Sequence, residues 1–120
     1  MRDPTRGGIA TVLNEICDRY DVGININEED IPIQKEVKSL CKMMGLDPLY
    51  LANEGKVILI ADKEASKKIV EIMQSFDKGK QACIIGSINK SEEAQVYMKT
   101  QIGGKRIINK LIGDNLPRLC

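Results

Sequence analysis

The 120-residue chain has no histidine and no tryptophan, and phenylalanine occurs once. Without histidine, the commonest general base at neutral pH and the commonest neutral metal ligand are both missing, which excludes histidine-based triads and histidine-rich metal sites. At 3% aromatic residues, a platform for stacking nucleic-acid bases cannot be assembled. An excess of charge of one sign is lacking as well. The 18 Lys and Arg residues face 17 Asp and Glu, leaving +1, so no nucleic-acid partner is expected. No apolar run approaches the roughly 20 residues of a membrane-spanning helix, so no membrane partner is expected either. The four cysteines, Cys17, Cys41, Cys83 and Cys120, form no CxxC pair, and a zinc or iron–sulfur site is not expected. The opening M-R-D-P-T-R-G-G carries no apolar signal region, so the expected compartment is the reducing cytoplasm with free thiols.

What is present is the composition of one soluble module, 42% hydrophobic and 29% charged. Ile9, Val12, Leu13, Ile16, Cys17 and Tyr20 recur at helical spacing and predict a helix from about Arg6 to Tyr20 with Thr5 as its cap. Val22, Ile24 and Ile26 alternate with polar residues and glycine as in a half-buried strand. Val37, Leu40, Cys41 and Met44 mark a second helix ending at Gly45, and Asp47-Pro48 reads as a turn. The apolar run Val57 to Ala61 suggests a strand buried on both faces. Asp62 then caps a third helix with Ala65, Ile69, Ile72, Met73 and Phe76 on its inner face. Strands are expected at Ala82 to Ile88 and Val96 to Ile102, with a Gly103-Gly104 hairpin into Arg106 to Ile108. The fold class is therefore α+β, a layered sandwich on a mixed, largely antiparallel sheet. Residues 1–108 read as one domain and 109–120 as a mobile tail. Cys17, Cys41 and Cys83 lie in apolar stretches and are expected to behave as small buried hydrophobes.

Three stretches do not reduce to core packing. Asp3-Pro4-Thr5-Arg6-Gly7-Gly8 sits at the mouth of the first helix, where unpaired amides and the helix dipole favour an anion; a capped start with glycines for close packing has the same pattern. Asn53-Glu54-Gly55 puts a carboxylate before an apolar run, either a proton acceptor at a strand end or an ordinary surface turn. Leu116-Pro117-Arg118-Leu119-Cys120 ends the chain with a thiol, which could be a tethered carrier or merely a terminal residue. The cationic end, from Lys99 to Arg118, suits a docking surface or a solvated rim.

These segments, M-R-D-P-T-R-G-G-I-A, G-L-D-P-L-Y-L-A-N-E-G-K and G-G-K-R-I-I-N-K-L-I-G-D-N-L-P-R-L-C, resemble the C-terminal domain of the HypE family of hydrogenase expression/formation proteins. That family belongs to the aminoimidazole-ribonucleotide synthetase-like ATP-binding superfamily, and the terminal P-R-x-C is the most specific of the shared motifs. The resemblance implies a carbamoyl dehydratase. A carbamoyltransferase, HypF, loads a carbamoyl group on Cys120; ATP-dependent dehydration turns the thiocarbamate into a thiocyanate; and the cyano group passes to iron on the HypC–HypD complex for [NiFe]-hydrogenases. It further implies Glu54 as the general base, Asp3, Thr5, Arg6, Gly7 and Gly8 as the nucleotide-phosphate loop, and Pro117, Arg118 and Leu119 as the residues that dock the arm. ATP and Mg would be held mainly by an N-terminal domain outside this chain. The chain by itself is expected to be an inactive half, and the full-length protein a homodimer. A regulatory domain binding a small anion, or a docking module using the basic hairpin, would share the sequence features without the chemistry.

Overall fold

Apolar residues three and four apart share one side of a helix, and Ala10, Leu13, Ile16 and Cys17 are buried along α1 (Gly8–Tyr20). In this computed structural model, residues 7–51, 56–90 and 93–109 are described. The helix starts later than its periodicity suggests because Gly7, in a left-handed conformation with φ of 68°, is its N-cap. Thr5, the cap expected from sequence, lies outside the described residues. Asp21, with φ of 52°, closes α1 by donating its N–H to the Cys17 carbonyl and turns the chain into β1 (Gly23–Asn27).

β1 lies inside a four-stranded sheet with β2 (Gly86–Asn89), β3 (Val96–Lys99) and β4 (Lys105–Ile108), in the order β2-β1-β3-β4. It pairs antiparallel with β2 and parallel with β3, and β3 pairs antiparallel with β4, so the sheet is mixed and largely antiparallel, as expected. Register places Ile24, Val96 and Ile108 in one cross-strand row, all three buried against α1. Asn25, Tyr97 and Ile107 form the neighbouring row on the opposite face. Gly103 turns the β3–β4 hairpin at φ of 89°, with its N–H on the Thr100 carbonyl at 3.0 Å and Thr100 N–H on the Gly104 carbonyl at 2.8 Å.

Elsewhere the elements form but the burial does not follow. α2 (Lys35–Met44) ends at Gly45 with φ of 70°, yet Cys41 is its sole buried residue, while Val37, Leu40 and Met44 are exposed. α3 (Lys63–Gln74) buries no side chain; Ala65 is exposed, and so are Ile72 and, just beyond the helix, Phe76. Asp62 sits at its N-cap position without a side-chain hydrogen bond. The expected strand Val57 to Ala61 is reduced to a single bridge residue, Ile58, and Val57, Leu59 and Ile60 are each more than two-fifths exposed. β2 begins at Gly86 rather than Ala82, and Cys83 is exposed rather than buried, its thiol on the Asp30 carbonyl at 3.1 Å. Periodicity decides which side chains share a face, but another element must arrive to cover it. Among the described residues, α1 and the sheet cover each other, whereas α3 packs mainly on the short 3-10 turn Asp77–Gly79.

No helix among the described residues is long and apolar enough to cross a membrane. Of the expected tail, Asn109 alone is described. The register predicts opposite outcomes at adjacent positions of β4. Ile108→Ala should lower unfolding stability by about 3 kcal/mol, as for other buried large-to-small changes. Ile107→Ala, on the open face, should cost under about 1 kcal/mol. Urea denaturation of the two variants checks this, and equal losses would contradict the register.

Candidate functional site

Asp47-Pro48 begins a short 3-10 turn, Pro48–Tyr50, because the Asp47 carboxylate accepts the Leu49 N–H at 3.0 Å and proline suits the first helical position. The other oxygen of the same carboxylate pairs with the Arg106 guanidinium, tying the turn to β4. Within the turn, Leu49 enters the core and Tyr50 points its hydroxyl at the Asn109 carbonyl, 2.6 Å away. Burial raises the Tyr50 pKa, and the Asp47 charge raises it further, against a smaller lowering by the Arg106 charge. The phenol therefore stays protonated and acts as a donor at neutral pH.

The start of α1 meets the same turn. A Cβ on Gly8 would overlap the carbonyl oxygens of Leu49 and Leu51, so α1 approaches that backbone as only glycine permits, at a φ of 68° that also favours glycine. A Cβ on Gly7 would strike the Thr11 side chain, whose hydroxyl donates to the Gly7 carbonyl at 3.0 Å. One turn further along α1, the buried Asn14 carboxamide donates to the Ala10 carbonyl at 2.8 Å and to the Ile108 carbonyl at 3.0 Å. Gly7, Leu51 and Asn109 are thus held around one turn.

From these residues the chain leads into the three sequence motifs. Gly7 and Gly8 are described; Asp3, Thr5, Arg6, Glu54, Pro117, Arg118, Leu119 and Cys120 lie outside the described residues. The geometry gives Gly7 and Gly8 a packing role. No described side chain caps α1 and its first turn carries no acidic residue, while the Leu49 and Leu51 carbonyls pack against Gly8. Sequence reasoning missed Asn14 and Tyr50, and the pairing of Asp47 with Arg106. A signal existed for Asn14, a carboxamide set among Leu13, Ile16 and Cys17 and four residues after Ala10, where a polar group must find a partner.

Arg106 and Lys105 do not form a free cationic patch. Arg106 pairs with Asp47, and the Lys105 ammonium lies 4.4 Å from the centroid of the Tyr97 ring. The Cys17 thiol is raised in pKa mainly by burial and secondarily by Asp18; Cys83, exposed as a residue, is raised by partial desolvation of its sulfur and secondarily by Asp30, which disfavours the reactive thiolate at both. Among the described residues, no group of three or more His, Cys, Asp or Glu could hold a metal.

Residues 1–99 match the family described as "AIR synthase related protein, C-terminal domain". The chain belongs to that family. All of it aligns at 42% identity with the carbamoyl dehydratase HypE of Azotobacter vinelandii, covering 35% of that protein. It is similar in structure to HypE in a HypE–HypF complex, with a TM-score of 0.86 and 46% identity over 92% of this chain and 35% of that one. A HypE structure in complex with ATP gives a TM-score of 0.87 at 38% identity, over 93% of this chain and 35% of that one. The chain thus spans about a third of the length of the curated relatives it matches. The α+β fold expected of this family is the fold observed.

Two glycines with nearly the same φ separate strain from packing. Gly45, at 70°, has nothing within 4 Å of a built Cβ, so Gly45→Ala should cost about 1 kcal/mol of backbone strain alone. Gly8→Ala adds the overlap with Leu49 and Leu51 and should cost about 2 kcal/mol more, in the range of overpacked sites. Thermal unfolding of the two variants measures the difference; equal costs would mean α1 is not seated on the turn.

Proposed function

We propose that this chain is the part of a carbamoyl dehydratase that carries the covalent substrate on its own terminal thiol. The observation that supports the reading is the convergence of three positions on the Pro48–Tyr50 turn. Gly7, Leu51 and Asn109, from which the chain leads into those motifs, lie around that turn although they are far apart in sequence. Cys120, eleven residues beyond Asn109, is by chain reach alone within about 38 Å of that residue, and Glu54 within about 14 Å of Tyr50. The thiol can therefore be presented both to a loading enzyme and to a base near the turn.

In this reading, HypF transfers a carbamoyl group to the Cys120 sulfur, giving a thiocarbamate. ATP supplies the phosphoryl group that turns the carbamoyl oxygen into a leaving group. Loss of both N–H protons and cleavage of the C–O bond leave a thiocyanate on the sulfur, with ADP and phosphate as the other products. Glu54 accepts a nitrogen proton, a task within reach of a carboxylate and independent of histidine. The amides at the start of α1, with Asp3, Thr5, Arg6, Gly7 and Gly8, face the phosphates, where the helix dipole favours negative charge. Pro117, Arg118 and Leu119 dock the arm. Magnesium and most of the nucleotide are bound by the portion that the relatives possess beyond this chain. The cyano group leaves for iron on HypC–HypD, and the assembly works in the cytoplasm as a homodimer.

Intact mass spectrometry of the full-length protein, incubated with HypF, carbamoyl phosphate and ATP, tests the assignment. Cys120→Ala should keep its unfolding free energy within about 0.5 kcal/mol yet take up no carbamoyl group. Glu54→Gln should load normally and dehydrate at least about 100-fold more slowly. An adduct on Cys17, Cys41 or Cys83, or normal dehydration by Glu54→Gln, would overturn the corresponding role.

A further inference from the structure

A cavity of about 560 Å³ opens between α2, the 3-10 turn Glu28–Asp30, the Pro48–Tyr50 turn and strands β3 and β4, a size typical of small-molecule sites. Its floor is apolar and part of the core, since Ile31, Leu49 and Met98 line it and are buried. α2 does not close on this floor, because Cys41 is its sole buried residue. Charge around the cavity is sorted by element. Lys38 and Lys42 stand one turn apart on α2, and Glu28 and Glu29 stand on the 3-10 turn. Among the described residues, no ion pair joins these lysines to these glutamates, so both signs face one cavity without closing on each other. The Glu28 carboxylate is fixed by the Gln101 N–H at 3.2 Å. Arg106 also reaches the wall, but its guanidinium is already paired with Asp47.

Such a lining discriminates by charge pattern. An anion would meet the lysines but also the glutamates, and a cation the reverse. An uncharged apolar molecule would fill the floor and leave both unanswered. A free amino acid carries its two charges on one carbon, too close together to reach both elements. We infer that this cavity binds a small zwitterion with its ammonium and carboxylate at opposite ends of an apolar body, the chemistry of a free apolar dipeptide or tripeptide. Lys38 and Lys42 take the carboxylate, Glu28 and Glu29 take the ammonium, and the apolar side chains lie on Ile31, Leu49 and Met98. The inference does not depend on the dehydratase reading, in which none of these lysines and glutamates has a role.

Calorimetric titration of the chain with the dipeptide leucylleucine tests it, with two blocked forms as controls. The N-acetyl form lacks the ammonium and the C-terminal amide lacks the carboxylate. Leucylleucine should bind saturably, and each blocked form about fivefold more weakly, the upper range for one exposed ion pair. The double variant Lys38→Gln, Lys42→Gln should lose about fivefold for leucylleucine and nothing for the amide. The double variant Glu28→Gln, Glu29→Gln should lose as much for leucylleucine and nothing for the N-acetyl form. These side chains leave the core untouched, so both variants should unfold at the parent temperature. The Met98 methyl resonance should move on binding, while that of Met73, on α3 outside the cavity, stays in place. Absence of saturable binding up to about 10 mM would overturn the inference. Equal affinity for the free and blocked peptides, tighter binding of either blocked form, or a shift at Met73 with none at Met98 would overturn it as well.

Discussion

A side chain at position 8 would occupy the space held by the carbonyl oxygens of Leu49 and Leu51, and that steric requirement sets how α1 meets the rest of the domain. With glycine there, the helix start lies on the Pro48–Tyr50 turn, and Leu13, Ile16 and Cys17 reach the sheet. The same placement brings Asn14 under the end of β4, where its carboxamide finds the Ile108 carbonyl. Left without a partner, a buried amide would cost about 1–3 kcal/mol, so the polar residue is both stabilising and selective for this docking of helix on sheet.

The turn is held from three directions that act through different physics. Gly8 meets it by close backbone packing, Asp47 links it to Arg106 by charge, and Tyr50 links it to Asn109 by a neutral hydrogen bond. The ion pair is partly exposed and contributes little energy by itself. Its importance is geometric, because the same carboxylate also caps the turn. A site assembled from segment ends needs such a junction, since loops that carry chemistry are positioned by the rigid elements at their roots.

Much of this was legible in the sequence, for local reasons. Helical spacing marks α1, α2 and α3; alternation marks β1 and β3; Asp47-Pro48 and Gly103-Gly104 mark turns, the second with Gly103 at positive φ. The run Val57 to Ala61 misleads because continuous apolarity describes what a strand would bury, not whether neighbouring strands are there to pair with it. The apolar stripes of α2 and α3 mislead for the same reason. Cys83 was expected inside because its neighbours are apolar, yet β2 starts three residues later and leaves the thiol outside. At the site, the motifs Asp3–Gly8, Asn53–Gly55 and the terminal Cys120 were visible as residues without a core role. The contacts that gather their roots were not, because Tyr50 with Asn109 and Asp47 with Arg106 are each 59 residues apart, and no local pattern encodes a pairing at that distance.

The central claim is that the Pro48–Tyr50 turn and the end of β4 form one unit. Native-state hydrogen exchange on Asp47→Ala tests it most directly, since that change removes the cap and the link to Arg106 together. The account predicts that the amides of Leu49 to Leu51 and those of Lys105 to Ile108 lose protection by a similar factor, on the order of tenfold, while the amides of Gly86 to Asn89 at the far edge of the sheet keep theirs. Faster exchange in the turn, with full protection retained across Lys105 to Ile108, would contradict it.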